Sequence, residues 1–413
     1  MSDWPTRTLR DLIAIKHGYA FKGEYFSDTG PGPLLVTPGN FSIGGGFKNS
    51  KQKFYTGPIP EGFLLSSGDL MVTMTDLSKF GDTLGYPALV PADADYLHNQ
   101  RIGLVSISNP NLIKKEFLYY LLCASNYRQH VIAGASGSTV RHTSPDRIRD
   151  FSFSCPGIQE QVAIARVLRV LDDKIVVNER ITVAALELAE AYFLEVSISS
   201  ERKSSSIGDL VAAGSVDFGD GYRTKRSEHG RPGIPILRVA EVLDGRIEAK
   251  FEDFVHEDYR KSMQKKTSRP GDIVLTTKGT VGRVAVVGAD DPEFVYSPQL
   301  CYFRVYPSAP FSPSYFHLWL RSDEFRRQAA QMKGQTDMAD YLSIGDIKRL
   351  RISFPDHARG SQVTAVLHQL EGLMDSRLRE NRTLAELRDT LLPKLISGEI
   401  KIKDAEKDVE NVI

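Results

Sequence analysis

The stretch PGDIVLTTKGTVGR, Pro270–Arg283, sets glycines, threonines and a lysine directly after an apolar run. A phosphate-cradling loop uses such a mixture, because glycine lets backbone N–H groups approach an anion and lysine neutralises it. Residue order excludes that chemistry here. A nucleotide loop needs G-x-x-x-x-G-K-[ST] at a helix start, whereas TTKGTVGRV puts its lysine before the first glycine and runs on into β-branched residues. The sequence also lacks a G-x-G-x-x-G fingerprint, a G-x-S-x-G elbow and an H-E-x-x-H pair. SISNPN at 106–111 lacks the second proline and the aromatic with which an adenine methyltransferase loop stacks on a flipped base. Neither a catalytic site nor a metal site is expected.

The remaining features suit binding. GGGFKNSKQKFY at 44–55 interleaves Lys48, Lys51 and Lys53 with aromatics, and MTDLSKFGD carries Lys79. DFGDGYRTKRSEHG at 217–230 supplies Tyr222, Arg223, Lys225 and Arg226, and the opening stretch supplies Lys278, Thr280 and Arg283. GASGSTVRHTS gives Arg141, and MKGQTDMADYLS gives Lys333, Gln335 and Thr336. Lys and Arg neutralise phosphates, while Arg, Gln and Thr also reach base edges. Taken singly, each loop is equally well explained as a solvated turn. Their recurrence at matching places along the chain favours a DNA surface.

That recurrence organises the chain. SGDLMVT at 67–73 returns as PGDIVLT at 270–276, and NQRIGLVSI at 99–107 as PQLCYFRVY at 298–306. EFLYYLLCASNYRQ at 116–129 returns as YFHLWLRSDEFRRQ at 315–328, and DRIRDFSFSCP at 146–156 as GDIKRLRISFP at 345–355. Short β-branched runs bounded by Gly and Pro come first in each half, and helix-patterned stretches follow. After each closing proline the apolar period changes. Ile164, Leu168, Leu171, Ile175, Ile181, Ala185, Leu188 and Tyr192 form one seam, and Val366, Leu370, Met374, Leu384, Leu387 and Leu391 form another. Spacings of three and four over this length predict two long amphipathic helices, whose seams are most simply buried against each other. The alternative packs each helix on its own domain.

The expected architecture is α+β with an internal pseudo-two-fold repeat. Residues 1–156 and 202–356 are two mixed α/β domains, 157–201 and 357–400 are long helices, and 401–413 is a polar tail. A length of 413 residues, 41% hydrophobic and 25% charged, fits a multidomain globular protein. The three cysteines, Cys123, Cys155 and Cys301, are scattered, so no disulfide framework or zinc site is indicated. No apolar run suits a membrane span or a signal core, so a cytoplasmic location is expected. The formal net charge is zero, but it is distributed unevenly. Residues 1–156 carry 15 Lys/Arg against 13 Asp/Glu and 202–356 carry 24 against 21, while 157–201 carry 4 against 8 and 357–413 carry 9 against 10.

IQEQVAIARVLRVLDDKIVVNERI at 158–181, LRDTLLPKLISGEI at 387–400, HGYAFKGEYF at 17–26 and GSTVRHTSPDRIRDFSFSCP at 137–156 together resemble the DNA-specificity subunits of Type I restriction-modification systems. The resemblance runs from about Leu9 to Ile400. GQTDMADYLSIGDI lacks a proline usual in such loops, and MTDLSKFGD replaces a usual Gly-Thr turn. The resemblance implies that 1–156 and 202–356 are target recognition domains joined by two long helices forming an antiparallel coiled coil. The whole would be a non-catalytic reader in which each recognition domain binds one half of a split, asymmetric target in double-stranded DNA. It further implies that the helices space the domains and dock two methyltransferase subunits, with motor-nuclease subunits joining them. S-adenosylmethionine, ATP and Mg would then be used by those partners. A coiled-coil adaptor whose end domains bind proteins is the competing expectation.

Overall fold

The computed structural model describes residues 4–49, 52–78, 80–137, 139–198, 202–243, 245–248, 250–332 and 341–413. The chain forms two compact units, Met1–Asn178 with Arg379–Ile413, and Glu179–Leu378.

In the first unit Leu70–Thr73 is buried along its whole length. Alternation along the strand explains this: Leu70 and Val72 enter the core beneath the helices, while Met71 enters a second core on the opposite face. The strand lies in an antiparallel sheet of order Ile13–His17, Ile102–Ile107, Leu70–Thr73, Pro87–Leu89. A five-stranded sheet of two-residue strands contains one parallel contact, Leu34–Leu35 against Tyr96–Leu97. Helices Lys115–Cys123 and Ser125–Ala133 bury Phe117, Leu118, Leu121, Leu122, Tyr127 and Val131 in the first core. Thr6–Thr8 pairs with Ser152–Ser154 and closes the unit before the first long helix.

The second unit repeats this plan. Its sheet runs Val216–Asp220, Leu300–Val305, Ile273–Thr276, Val284–Val286. Ile273 and Leu275 again face the helical core, and Val274 the other. Gly233–Leu237 lies parallel to Val295–Tyr296, and Arg202–Ser206 closes on Arg351–Pro355. Ser312 caps helix Pro313–Arg321 by accepting from Tyr315 N, and Pro313 occupies the first turn, where its missing N–H costs nothing.

The strand pairing shifts two of the sequence echoes by one residue. Ile102 and Leu300 occupy the same register opposite Thr73 and Thr276, whereas the echo aligns Ile102 with Cys301. The helices carry the same shift, Lys115–Cys123 matching Pro313–Arg321 end to end.

Two unbroken helices, Ile158–Ile198 and His357–Ser397, pack together. In the first unit Ile164, Leu168 and Leu171 share a core with Leu384, Leu391 and Leu395. Arg388 Nη1 binds Asp172 Oδ1 at 2.9 Å, and Asn178 Nδ2 donates to Asn381 Oδ1 at 2.9 Å. Partner numbers fall on one helix as they rise on the other, so the pairing is antiparallel. Ile175 and Leu387 are half-buried beside this seam.

In the second unit the buried stripe departs from the expected one. Ala189, Phe193 and Val196 share a core with Val363 and Leu367, and Leu370 is half-buried against it. Val366 and Met374 are only half-buried, and Leu188 is 57% exposed. The reason is that each helix serves two surfaces at once: Phe193 packs on the ring of Tyr315 in the unit's own helical layer, at 4.9 Å between centroids. Both expected packings are therefore realised together. The expected polar tail also takes a different form. Ile402–Glu410 is a helix whose Ala405 and Val409 are buried in the first unit's core, because i, i+3, i+4 spacing gives even this charged segment an apolar stripe. No helix among the described residues is long and apolar enough to cross a membrane.

Candidate nucleic-acid interface

Three segments converge at the end of one central strand in each unit, Leu70–Thr73 in the first and Ile273–Thr276 in the second. In the first, Met74 N donates to Arg101 O at 2.9 Å and Thr143 N to Met74 O at 3.0 Å. In the second, Thr277 N donates to Gln299 O at 2.9 Å and Leu342 N to Thr277 O at 3.0 Å. The sheet order dictates the meeting, since the central strand lies beside the strand that the second segment begins and its end is crossed by the chain returning from the helices.

Arg141 stands in this cluster. Arg141–His142 pairs with Thr75–Asp76, and Thr75 Oγ1 lies 3.1 Å from His142 Nδ1. Asp76 is 4% exposed. Burial pushes its carboxyl up, but hydrogen bonds from Thr83 and Ser78 outweigh this and hold it below the usual carboxylate range. Ser78 N reaches it at 2.6 Å, Thr83 Oγ1 at 2.6 Å, and Thr83 N also donates. Asp76 is thus occupied as the tie of its loop.

In the second unit Lys278 and Thr280 are exposed, and Lys278 bridges to Tyr341. Arg283 departs from its expected role in part: it is half-buried, and its Nη1 donates to Val242 O at 3.3 Å. Tyr222 N donates to Tyr296 O at 2.7 Å, which seats that loop next to the 297–299 segment. Gly221 permits this approach, since a Cβ there would lie 2.1 Å from Ser297 O. Tyr222 is half-buried, while Arg223, Lys225 and Arg226 are exposed. Lys225 N is tied to Glu228 Oε2 at 3.0 Å.

Lys48 and Lys53 are exposed on a different loop, fastened by Lys48 N to Asn40 O and by Gly46 N to Pro87 O, both at 2.9 Å. Lys51, Lys79, Lys333, Gln335 and Thr336 lie outside the described residues. Sequence reasoning missed Arg101, an exposed arginine in the converging turn. A lone arginine ahead of a strand has no motif, and only the strand order places it. Among the described residues no group of three or more His, Cys, Asp or Glu is placed to hold a metal ion.

Comparison with known proteins adds to this geometry. The family model "Type I restriction modification DNA specificity domain" matches residues 1–186. The chain is 22% identical to the Type I restriction enzyme EcoBI specificity subunit of Escherichia coli, over 96% of this chain and 86% of that protein. It is 24% identical to the MjaIX specificity subunit of Methanocaldococcus jannaschii, over 73% and 76%. Among solved structures, the S subunit of a Type I restriction-modification system from M. genitalium superposes with a TM-score of 0.55 at 16% identity, covering 95% of this chain and 96% of that one, a likeness of fold. The chain is therefore similar to the DNA specificity subunits of Type I restriction-modification systems, through the family model over residues 1–186 and through these relatives over most of its length.

Proposed function

We propose that each unit reads one half of a bipartite, asymmetric DNA target through its three-segment cluster. The observation that carries this reading is one cluster built twice with different side chains. Arg101 and Arg141 line the first, and Lys278 and Thr280 line the second. One scaffold with two chemistries suits two unlike half-targets. The cations hold phosphates, and Arg and Thr side chains address base edges.

The paired helices dock two methyltransferase subunits, and motor-nuclease subunits complete the assembly. Val170 at 40%, Val177 at 48% and Val183 at 56% exposure leave apolar surface on the first long helix that such docking would cover. S-adenosylmethionine, ATP and Mg are used by those partners.

Reconstitution with the modification subunit tests the reading. The pair is expected to methylate adenine at one discrete, two-part motif, and DNA affinity should fall steeply with salt as phosphate contacts release counterions. Methylation at no discrete motif, or binding indifferent to salt, would instead support the protein-binding adaptor.

A further inference from the structure

The two clusters differ most in the loop that follows the central strand. Both loops close on the same ladder: Gly85 N donates to Thr73 O at 2.9 Å, and Gly282 N to Thr276 O at 3.0 Å. Between those residues the first unit has 74–84 and the second only 277–281. The longer loop ends in apolar side chains, with Leu77 62% and Phe80 74% exposed.

The backbone that presents them is tightly fastened. Asp76 ties Ser78 to Thr83, and Ser78 Oγ accepts from Asp82 N at 2.8 Å. Leu84 at the loop's end is fully buried. From below, Arg128 Nη2 donates to Gly81 O at 2.9 Å and Asp82 O at 3.3 Å, while its guanidinium lies 4.0 Å from the centroid of the Tyr86 ring. Arg128 is only 8% exposed, its Nη1 has no hydrogen-bond partner, and among the described residues no carboxylate pairs with it. A buried cation without a counter-charge is costly, and here it fixes a loop. The matching arginine of the second unit, Arg326, is exposed and pairs with Asp323, and the loop after that unit's central strand is the short one, 277–281. The extended loop and the buried arginine occur together.

Leu77 and Phe80 thus stand out on a backbone held at Asp76, Ser78, Gly81 and Leu84, beside Arg141, whose Cγ lies 3.6 Å from a Cβ built at Gly81. An apolar tip beside Arg141 fits DNA, where a phosphate meets the cation and base edges or faces meet the apolar groups. We propose that Leu77 and Phe80 are specificity-determining residues of the first unit, making apolar contact with bases of its half-target; this rests on the reading of the units as DNA readers.

The test uses the full chain in complex with its modification subunit. Leu77→Ala, Phe80→Ala and the double variant are compared with wild type by methylation sequencing of a randomised library and by binding to the target duplex. Both side chains are exposed, so assembly and melting temperature should match wild type. The double variant should bind at least about fivefold more weakly and lose discrimination at one or two positions of one half of the motif, the other half staying intact. An unchanged motif with affinity within about twofold of wild type would overturn the proposal. So would failed assembly with the modification subunit while surviving complexes keep the motif, because the tip would then be a protein contact. A wild-type complex that methylates at no discrete motif would remove the underlying reading of the units as well, and the wild-type arm alone reveals that case.

Discussion

Asp69 and Asp272 stand at the same point of the two units, one residue before the central strand, and tie the same turn. Asp69 Oδ2 accepts from Ser66 N at 2.8 Å, and Asp272 Oδ2 from Arg269 N at 2.9 Å. In the first unit Ser106, exposed, occupies the position that Arg304 fills in the second. Arg304 Nε and Nη2 bind Asp272 at 2.8 and 3.0 Å, and Tyr296 donates its hydroxyl to the same carboxylate at 2.6 Å. Asp272 is 2% and Arg304 5% exposed. The repeat therefore preserves turns, strand order and helical cores, whereas buried polar groups and loop lengths differ between its copies. The first unit sets a buried arginine under the loop after its central strand, and the second places one inside its sheet.

Unfolding should separate the two aspartates widely. Asp272→Ala strands the Arg304 charge in the core and should cost about 3–5 kcal/mol. Asp69→Ala loses one turn hydrogen bond and should cost about 1 kcal/mol. Urea denaturation with hydrogen exchange resolved by unit measures both. Equal costs would mean that the Arg304 network contributes nothing specific to the second unit.

A smaller effect sharpens the same contrast. His317 lies on helix Pro313–Arg321 where the first unit has Tyr119. Burial, and then nearby Arg321, hold the His317 pKa down at about 4. Burial pushes the Tyr119 hydroxyl well above its ordinary value, away from acid pH. A folded-state histidine pKa below its unfolded value gives stability that is complete above about pH 6.5 and is lost as pH falls toward 4. The shift corresponds to about 3 kcal/mol over that window, so the second unit should lose about 6–12 °C of melting temperature relative to the first. His317→Tyr should flatten the difference, and an unchanged pH profile in that variant would contradict the assignment.

The large-scale plan was legible in the sequence because it rests on periodicity and order. Alternating buried strands and heptad-like spacing need no tertiary information, so the duplicated domains and both long helices could be read directly. Details decided by a second neighbour were not legible. The stripe of the second helix follows Val363 and Leu367 rather than Val366, because it also packs against the unit's own layer. The tail helix was hidden by its charge, since only Ile402, Ala405 and Val409 carry its stripe. Among candidate contacts, Arg283 looks like an available cation until Val242 O is found beside it, and Arg101 gains meaning only from the strand order. Glycines and lysines mark a loop; hydrogen bonds decide which of its side chains are left for a ligand.

Exchange of residues 207–355 for the matching segment of a relative with a different target tests the central claim of two independent readers most directly. Methylation-sensitive sequencing of DNA modified by the hybrid complex gives the readout. Independent reading predicts that one half of the motif changes to the relative's and the other half stays as it was. A change in both halves, or in neither, would contradict it.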